Sequence, residues 1–157
     1  MYGDIQKFWE KLDETIALYE FKMGRKPDVH SCAQMVSNTL YGKRFFPTYA
    51  FNIVCGIDKN GKGAAFVYDA IGSCGSESYG CQGSGKELLF PVMDNIFEGY
   101  NHVEKNHPKD AETISKILLD AFQSVAERDI YTGDGCEIRV LRLNKEPEVN
   151  LYPIRRD

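Results

Sequence analysis

The sequence is short of the features by which many functions announce themselves. It has no Cys-x-x-Cys pair, and its cysteines are odd in number: Cys32, Cys55, Cys74, Cys81 and Cys136. Both facts argue against a disulfide framework or a zinc site. They fit buried thiols in a reducing compartment, cytoplasmic or nuclear. No apolar run approaches the ~18 residues that a membrane-spanning helix needs. The opening MYGDIQKFWEKL is charged and amphipathic, unlike a secretory signal. Positive charge is scarce: the formal net charge is −4, and Lys43-Arg44 and Arg155-Arg156 are too short to form a basic face. Neither nucleic acid nor a membrane is expected as a partner. His-Glu-x-x-His is missing, as is Gly-Lys-Ser/Thr after a glycine-rich loop. The three histidines, His30, His102 and His107, adjoin no nucleophile motif, and the last two fall in a polar, solvated stretch.

What is present is an ordinary folding composition. The chain has 157 residues, 43% hydrophobic and 27% charged, enough for one domain with a real core, spanning 1–157.

Apolar residues at Ile5, Phe8, Trp9, Leu12, Ile16 and Tyr19 step by three and four, which predicts a helix from Gly3 to Met23. Asp4 is placed to cap its start and Gly24 to end it. Pro27-Asp28 opens a second helix with the stripe Val29, Cys32, Ala33, Val36 and Leu40, closed by Gly42. The short link predicts a helical hairpin. The period then shifts to two. Phe46–Asp58 reads as a strand with Tyr49, Phe51, Ile53 and Cys55 on one side. Asn60-Gly61 marks a hairpin turn, because both residues tolerate positive φ. Gly63–Gly72 is the returning strand, and SCGSESYGC reads as a short, glycine-broken strand or bulge. A third helix starts near Gly85, carries Leu88, Leu89, Val92, Met93, Ile96 and Phe97, and ends at Gly99. After a polar connection, Asp110 caps a fourth with Ile114, Ile117, Leu118, Ala121, Phe122 and Val125. Cys136–Asn144 and Glu148–Ile154 are the last strands. Ile138, Val140 and Leu143 are expected inside, with Arg139 and Arg142 outside. The order predicts an α+β fold with helical layers on antiparallel sheet. Four amphipathic helices over four or five strands leave sheet faces and edges short of cover, so either further strands come from elsewhere or strand-bearing sequence is lost from the front, and the chain is expected to aggregate when alone.

Two stretches are candidates for chemistry. Gly83-Ser84-Gly85 begins a helix. Exposed N–H groups there suit an anion, but close helix–sheet packing explains the glycines better. In "AERDIYTGDGCEIRVL", from Ala126 to Leu141, a helix gives way to a strand through Asp129, Thr132, Gly133, Asp134 and Gly135. The EF-hand pattern is absent. A structural corner accounts for it: Asp129 and Thr132 bond local backbone, and Gly133 and Gly135 supply positive φ.

The strings "VSNTLYGKRFFPTYAFNIVCGID" (Val36–Asp58), "DAIGSCGSESYGCQGSG" and "AERDIYTGDGCEIRVL" closely resemble the proteasome core-particle beta subunits, in particular the non-catalytic class called beta type-1. The likeness runs from Gly3 to Asp157. It implies a four-layer αββα sandwich of the N-terminal-nucleophile hydrolase type, here truncated at its N-terminus. It also implies rings of seven beta subunits, two rings back to back, capped by alpha rings. The implied partners are beta subunits of the same and the opposite ring and the alpha ring, with Lys43-Arg44 and YPIRRD as candidate contacts. In active members an N-terminal threonine attacks the peptide, its own amine serving as base. The helix-end Asp-x-x-Ser-Gly supports that amine, and a serine of Gly-Ser-Gly lies close by. The matching positions are Asp129, Thr132 and Gly133, and Ser84, with Thr132 a departure from serine. The family's supporting aspartate and lysine belong to the segment this sequence lacks. No catalytic residue and no cofactor are therefore expected; the corner is read as a retained remnant of a scaffold. A second implication is a hard cation, magnesium or calcium, on the carbonyls of Ala126, Asp129 and Thr132. The resemblance leaves two functions open: a non-catalytic assembly subunit, or a threonine endopeptidase whose nucleophile segment precedes residue 1.

Overall fold

The computed structural model describes residues 2–100, 102, 108 and 110–156. The chain divides into two compact units, Met1–Gly80 and Cys81–Asp157. The element order is the expected one: two helices, three strands, two helices, two strands.

In the first unit, α1 (Tyr2–Met23) and α2 (Val29–Tyr41) precede β1 (Ile53–Ile57), β2 (Gly63–Tyr68) and β3 (Cys74–Glu77). The strands form one antiparallel sheet in the order β1-β2-β3, with Ile53 opposite Val67 and Phe66 opposite Ser76. Asp28 caps α2, its side chain accepting the N–H of Ser31 at 2.8 Å, and Gly24 ends α1 at φ +64°. Asp4 lies inside the first turn of α1 rather than at its cap, since the helix begins two residues earlier. The core joins Phe8 and Leu12 of α1 to Ala33, Val36 and Leu40 of α2 and Tyr68 of β2. Burying each large apolar side chain there contributes about 1.5–3 kcal/mol. The Tyr68 hydroxyl is buried too, and donates to the Ala33 carbonyl at 2.7 Å. Trp9 lies outside this core, 54% exposed. It sits one step round the helix from Phe8, beyond the width of the buried stripe.

The strand expected over Phe46–Asp58 is five residues long, and Phe46 to Asn52 take an irregular path ahead of it. Their alternation is real but opposite in phase to the large side chains. Thr48 and Ala50 are buried, whereas Tyr49 and Phe51 are exposed and stack edge-on at 5.2 Å. The hairpin after β1 has a three-residue tip. Asp58 N–H bonds the Lys62 carbonyl, and only Gly61 has positive φ (+79°), so Asn60 need not adopt the left-handed conformation. The return strand stops at Tyr68, where Asp69 begins a turn by accepting the N–H groups of Ile71 and Ser73.

In the second unit, α3 (Lys86–Met93) runs into a π-helical turn (Asp94–Glu98), and α4 (Ala111–Ala126) leads to β4 (Gly135–Val140) and β5 (Glu148–Pro153). The expected third helix is thus two pieces. Pro91 removes a ladder donor inside α3, and the turn widens just after it until Gly99, left-handed at φ +52°, ends it. Asp110 caps α4 by accepting the N–H of Thr113 at 2.7 Å. β4 and β5 pair antiparallel, with Cys136 opposite Tyr152 and Ile138 opposite Asn150. Cys136 and Ile138 point inward with Ala126 and Ile154. Leu143 is 51% exposed, because β4 ends at Val140 and the inward alternation ends with it. Cys81 and Cys136 are buried as expected of all the thiols, but Cys55 and Cys74 are exposed on the sheet of the first unit. His102 is exposed, with its Nε2 3.0 Å from Asn95 Oδ1; His107 lies outside the described residues.

Candidate functional site

Both stretches singled out in the sequence lie in the second unit, and they meet. Ser84, just ahead of α3, donates its hydroxyl to Asp129 Oδ2 at 2.6 Å. Thr132 donates to the same oxygen at 2.7 Å. The other carboxylate oxygen, Oδ1, accepts the Tyr131 N–H at 3.2 Å. Asp129 itself is held by the end of α4, its N–H donating to the Val125 carbonyl at 2.9 Å. Thr132 N–H then donates to the Asp129 carbonyl at 3.2 Å, closing the turn.

The glycines fit this corner, though not in the way the spacing suggests. Gly133 and Gly135 do not supply the left-handed residue; Asp134 does, at φ +63°, with its N–H on the Arg155 carbonyl at 2.9 Å. Gly85 packs on a helix rather than a sheet. A Cβ built there would lie 2.6 Å from Val125 Cγ1, 3.3 Å from Asp129 Oδ2 and 3.5 Å from Thr132 Oγ1. Gly85 therefore sets how closely Ser84 approaches Asp129. Its partner Val125 was legible only as an apolar helix position. The contact joins residues forty apart, and no local pattern signals it.

A cavity of about 120 Å³ opens beside the corner, lined by Cys81, Gln82, Ser84, Lys86, Phe122 and Thr132 among others. The Asp129 carboxyl is held below its ordinary range by the Ser84 hydroxyl first, then by the Thr132 hydroxyl and the Tyr131 N–H; partial burial opposes them. The carboxylate is charged across the neutral range. A carboxylate pushed in that direction is a poor general base, because effective bases titrate near the working pH. The described residues within hydrogen-bond reach of Ser84 and Thr132 thus offer a fixed negative charge and no proton acceptor of useful strength.

Residues 1–141 match the family described as "Proteasome subunit". The chain belongs to this family. It is 36% identical over 160 residues to "Proteasome subunit beta type-1" of Arabidopsis thaliana, covering 99% of this chain and 71% of that protein. It is 40% identical over 144 residues to the protein of the same name from Oryza sativa subsp. japonica, covering 88% and 65%. With the Dictyostelium discoideum protein of that name the identity is 39% over 146 residues, covering 92% and 62%. The chain thus spans roughly two thirds of the length of these relatives. Membership of the proteasome family carries the α+β fold of the N-terminal-nucleophile hydrolases.

Of the positions the resemblance points to, Ser84, Asp129 and Thr132 share one corner, and Gly133 follows Thr132 in the chain. The carbonyls of Ala126, Asp129 and Thr132 follow one another along the same bend. Three carbonyls are half or less of the six to eight oxygens that magnesium or calcium takes. Among the described residues no cluster of three His, Cys, Asp or Glu side chains stands ready to complete such a set. A cation there would need water and groups from another chain.

Proposed function

We propose that this chain is a non-catalytic subunit of the beta ring of a proteasome core particle, of the beta type-1 class. Its work is to pack against beta subunits of its own and the opposite ring and against the alpha ring. It thereby helps to enclose the chamber for ubiquitin-dependent protein degradation in cytoplasm and nucleus. In that setting the two units form one proteasome-type domain over 1–157, arranged as a four-layer αββα sandwich. The observation that carries the reading is the match over 99% of the chain to a beta type-1 subunit. The corner itself offers no activated nucleophile among the described residues. Two hydroxyls are spent on one carboxylate that stays charged, so neither Ser84 nor Thr132 has a base to activate it.

A second reading makes the natural polypeptide an active threonine endopeptidase whose nucleophile lies ahead of residue 1. The preserved corner favours it, since a fixed carboxylate beside two hydroxyls suits an ammonium group. One experiment separates the two. Proteasomes are isolated through a tag on this chain and treated with a probe reactive toward N-terminal threonine. Recovery of the chain with peptidase activity, but without label on it, is the expected result. Label on this chain overturns the non-catalytic reading, and recovery of the chain free of other proteasome subunits overturns the assembly reading. A hard cation on the carbonyls of Ala126, Asp129 and Thr132 is a separate proposal. Soaking the isolated complex with manganese and locating the metal by anomalous scattering tests it.

A further inference from the structure

The tip of the β1–β2 hairpin reads Asp58-Lys59-Asn60-Gly61-Lys62. Asn60 and Gly61 are exposed. Glycine leaves its own nitrogen unshielded, and at φ +79° Gly61 occupies a conformation that a side chain would disfavour. One carboxylate organises this tip. Asp58 Oδ1 accepts the N–H groups of Asn60 and Lys62, both at 2.8 Å. Asp58 Oδ2 lies 3.4 Å from the Asn60 amide nitrogen, and the Asp58 carbonyl accepts the Gly61 N–H at 3.0 Å. The tip is also tied to α2. Lys59 Nζ is 3.0 Å from Asp28 Oδ2, while Asp28 Oδ1 caps α2 at Ser31.

We propose that Asn60 is a site of spontaneous deamidation, that Asp58 restrains its rate, and that the product weakens the link from this hairpin to the start of α2. The reaction needs only water and hydroxide. Gly61 N loses its proton to hydroxide and attacks Asn60 Cγ, forming the N–Cγ bond. The Cγ–Nδ2 bond breaks, and ammonia leaves with the proton it takes from solvent. The resulting succinimide adds water. Opening at Cγ restores the normal backbone with an aspartate. Opening at the α-carbonyl carries the backbone through Cγ as isoaspartate. Net, one amide and one water become one carboxylate and one ammonium ion.

The native turn opposes the first step, because the Gly61 N–H is held on the Asp58 carbonyl and the flanking amides are held on the Asp58 carboxylate. Attack therefore requires the tip to open. Once formed, the new carboxylate lies beside Asp58, where like charges repel. It also offers Lys59 an alternative to Asp28, and isoaspartate adds a methylene to a turn whose backbone N–H bonds sit near 2.8–3.0 Å.

The test is incubation of the intact protein at mildly alkaline pH, followed by chymotryptic digestion and mass spectrometry with fragmentation. Cleavage after Phe51 and Phe66 keeps the tip in one peptide, and fragment ions separate position 60 from Asn52. Conversion of amide to acid is expected at position 60, at least tenfold slower in the native protein than in the denaturant-unfolded chain. Asp58→Ala is expected to speed native conversion by about three- to tenfold, exposed charge-assisted bonds being partly screened. Asn60→Gln is expected to remove the signal. Hydrogen exchange at the Ser31 N–H is expected to quicken in the converted protein. Position 60 remaining an amide while the unfolded chain converts overturns the site. Asp58→Ala converting no faster overturns the restraint, and unchanged exchange at Ser31 overturns the link to α2.

Discussion

Gly85→Ala is the substitution that tests the corner most directly. The added methyl would lie 2.6 Å from Val125 Cγ1, a separation that carbon atoms do not tolerate, so something must shift. Val125 is 5% exposed and sits in α4, where a β-branched side chain has one strongly preferred rotamer. It cannot swing aside. Relief must come from moving the start of α3 away from the end of α4, which also pulls Ser84 off Asp129. Overpacking of this kind costs about 1–3 kcal/mol. For a protein of this size each kcal/mol lowers the melting temperature by roughly 2–4 °C, so a fall of roughly 2–12 °C is expected. Val125→Ala removes two methyl groups and costs about 1.6 kcal/mol in lost burial. It also removes the atom that Gly85→Ala strikes. The double variant should therefore be more stable than the sum of the singles by at least ~1 kcal/mol. Circular dichroism melts of the four proteins give the cycle. A Gly85→Ala protein that melts within a degree of wild type, or a cycle that closes additively, refutes the packing argument.

Three further outcomes follow from the same geometry. Because the Asp129 carboxyl titrates lower in the folded protein than its ordinary 3.8, its contribution is fully present above that value and is lost as the pH falls below it. Asp28, Asp58 and Asp110 shift in the same direction, so Asp129→Asn should flatten the acid limb of a stability–pH profile without abolishing it; an unchanged limb counts against the two hydroxyl bonds. Tyr68→Phe keeps the buried ring but strips the hydroxyl from the Ala33 carbonyl, and urea unfolding should show a loss of about 0.5–1.5 kcal/mol. Ser84→Ala and Thr132→Val should leave peptidase activity of the assembled particle within about twofold, since neither hydroxyl has a base to serve; a loss of tenfold or more would return both to the catalytic machinery.

The helices were legible because their signals are local. Asp28 and Asp110 are capping residues at the head of 3.6-periodic stripes, and each cap accepts the N–H three residues on. Gly24 and Gly99 end helices in the left-handed conformation that only glycine adopts cheaply. The misreadings have non-local causes. From Thr48 to Ala50 the burial alternates as a strand's would, yet among the described residues no neighbour strand pairs there, and the small residues rather than the large ones are buried. Trp9 and Leu143 belong to apolar patterns that outrun the surface available to bury them. Pro91 interrupts a helix whose hydrophobic period continues past it, so the pattern showed one element where the backbone makes two.

The candidate site divides along the same line. Ser84, Asp129 and Thr132 could be named from the resemblance alone, but composition and spacing supported only a bend. Their convergence on a single oxygen, Asp129 Oδ2, joins residues 45 positions apart, and that contact is what turns a bend into a charge-holding corner. The chemistry of the corner then follows from its own bonds. The hydrogen bonds that the Asp129 carboxylate accepts also stabilise its charged form, so the interactions that orient that side chain are those that weaken it as a base. A site built this way can hold a cation or hold itself together. As a base for Ser84 or Thr132 it is weak at neutral pH, because its proton affinity is lowered by the very hydroxyls it would have to deprotonate.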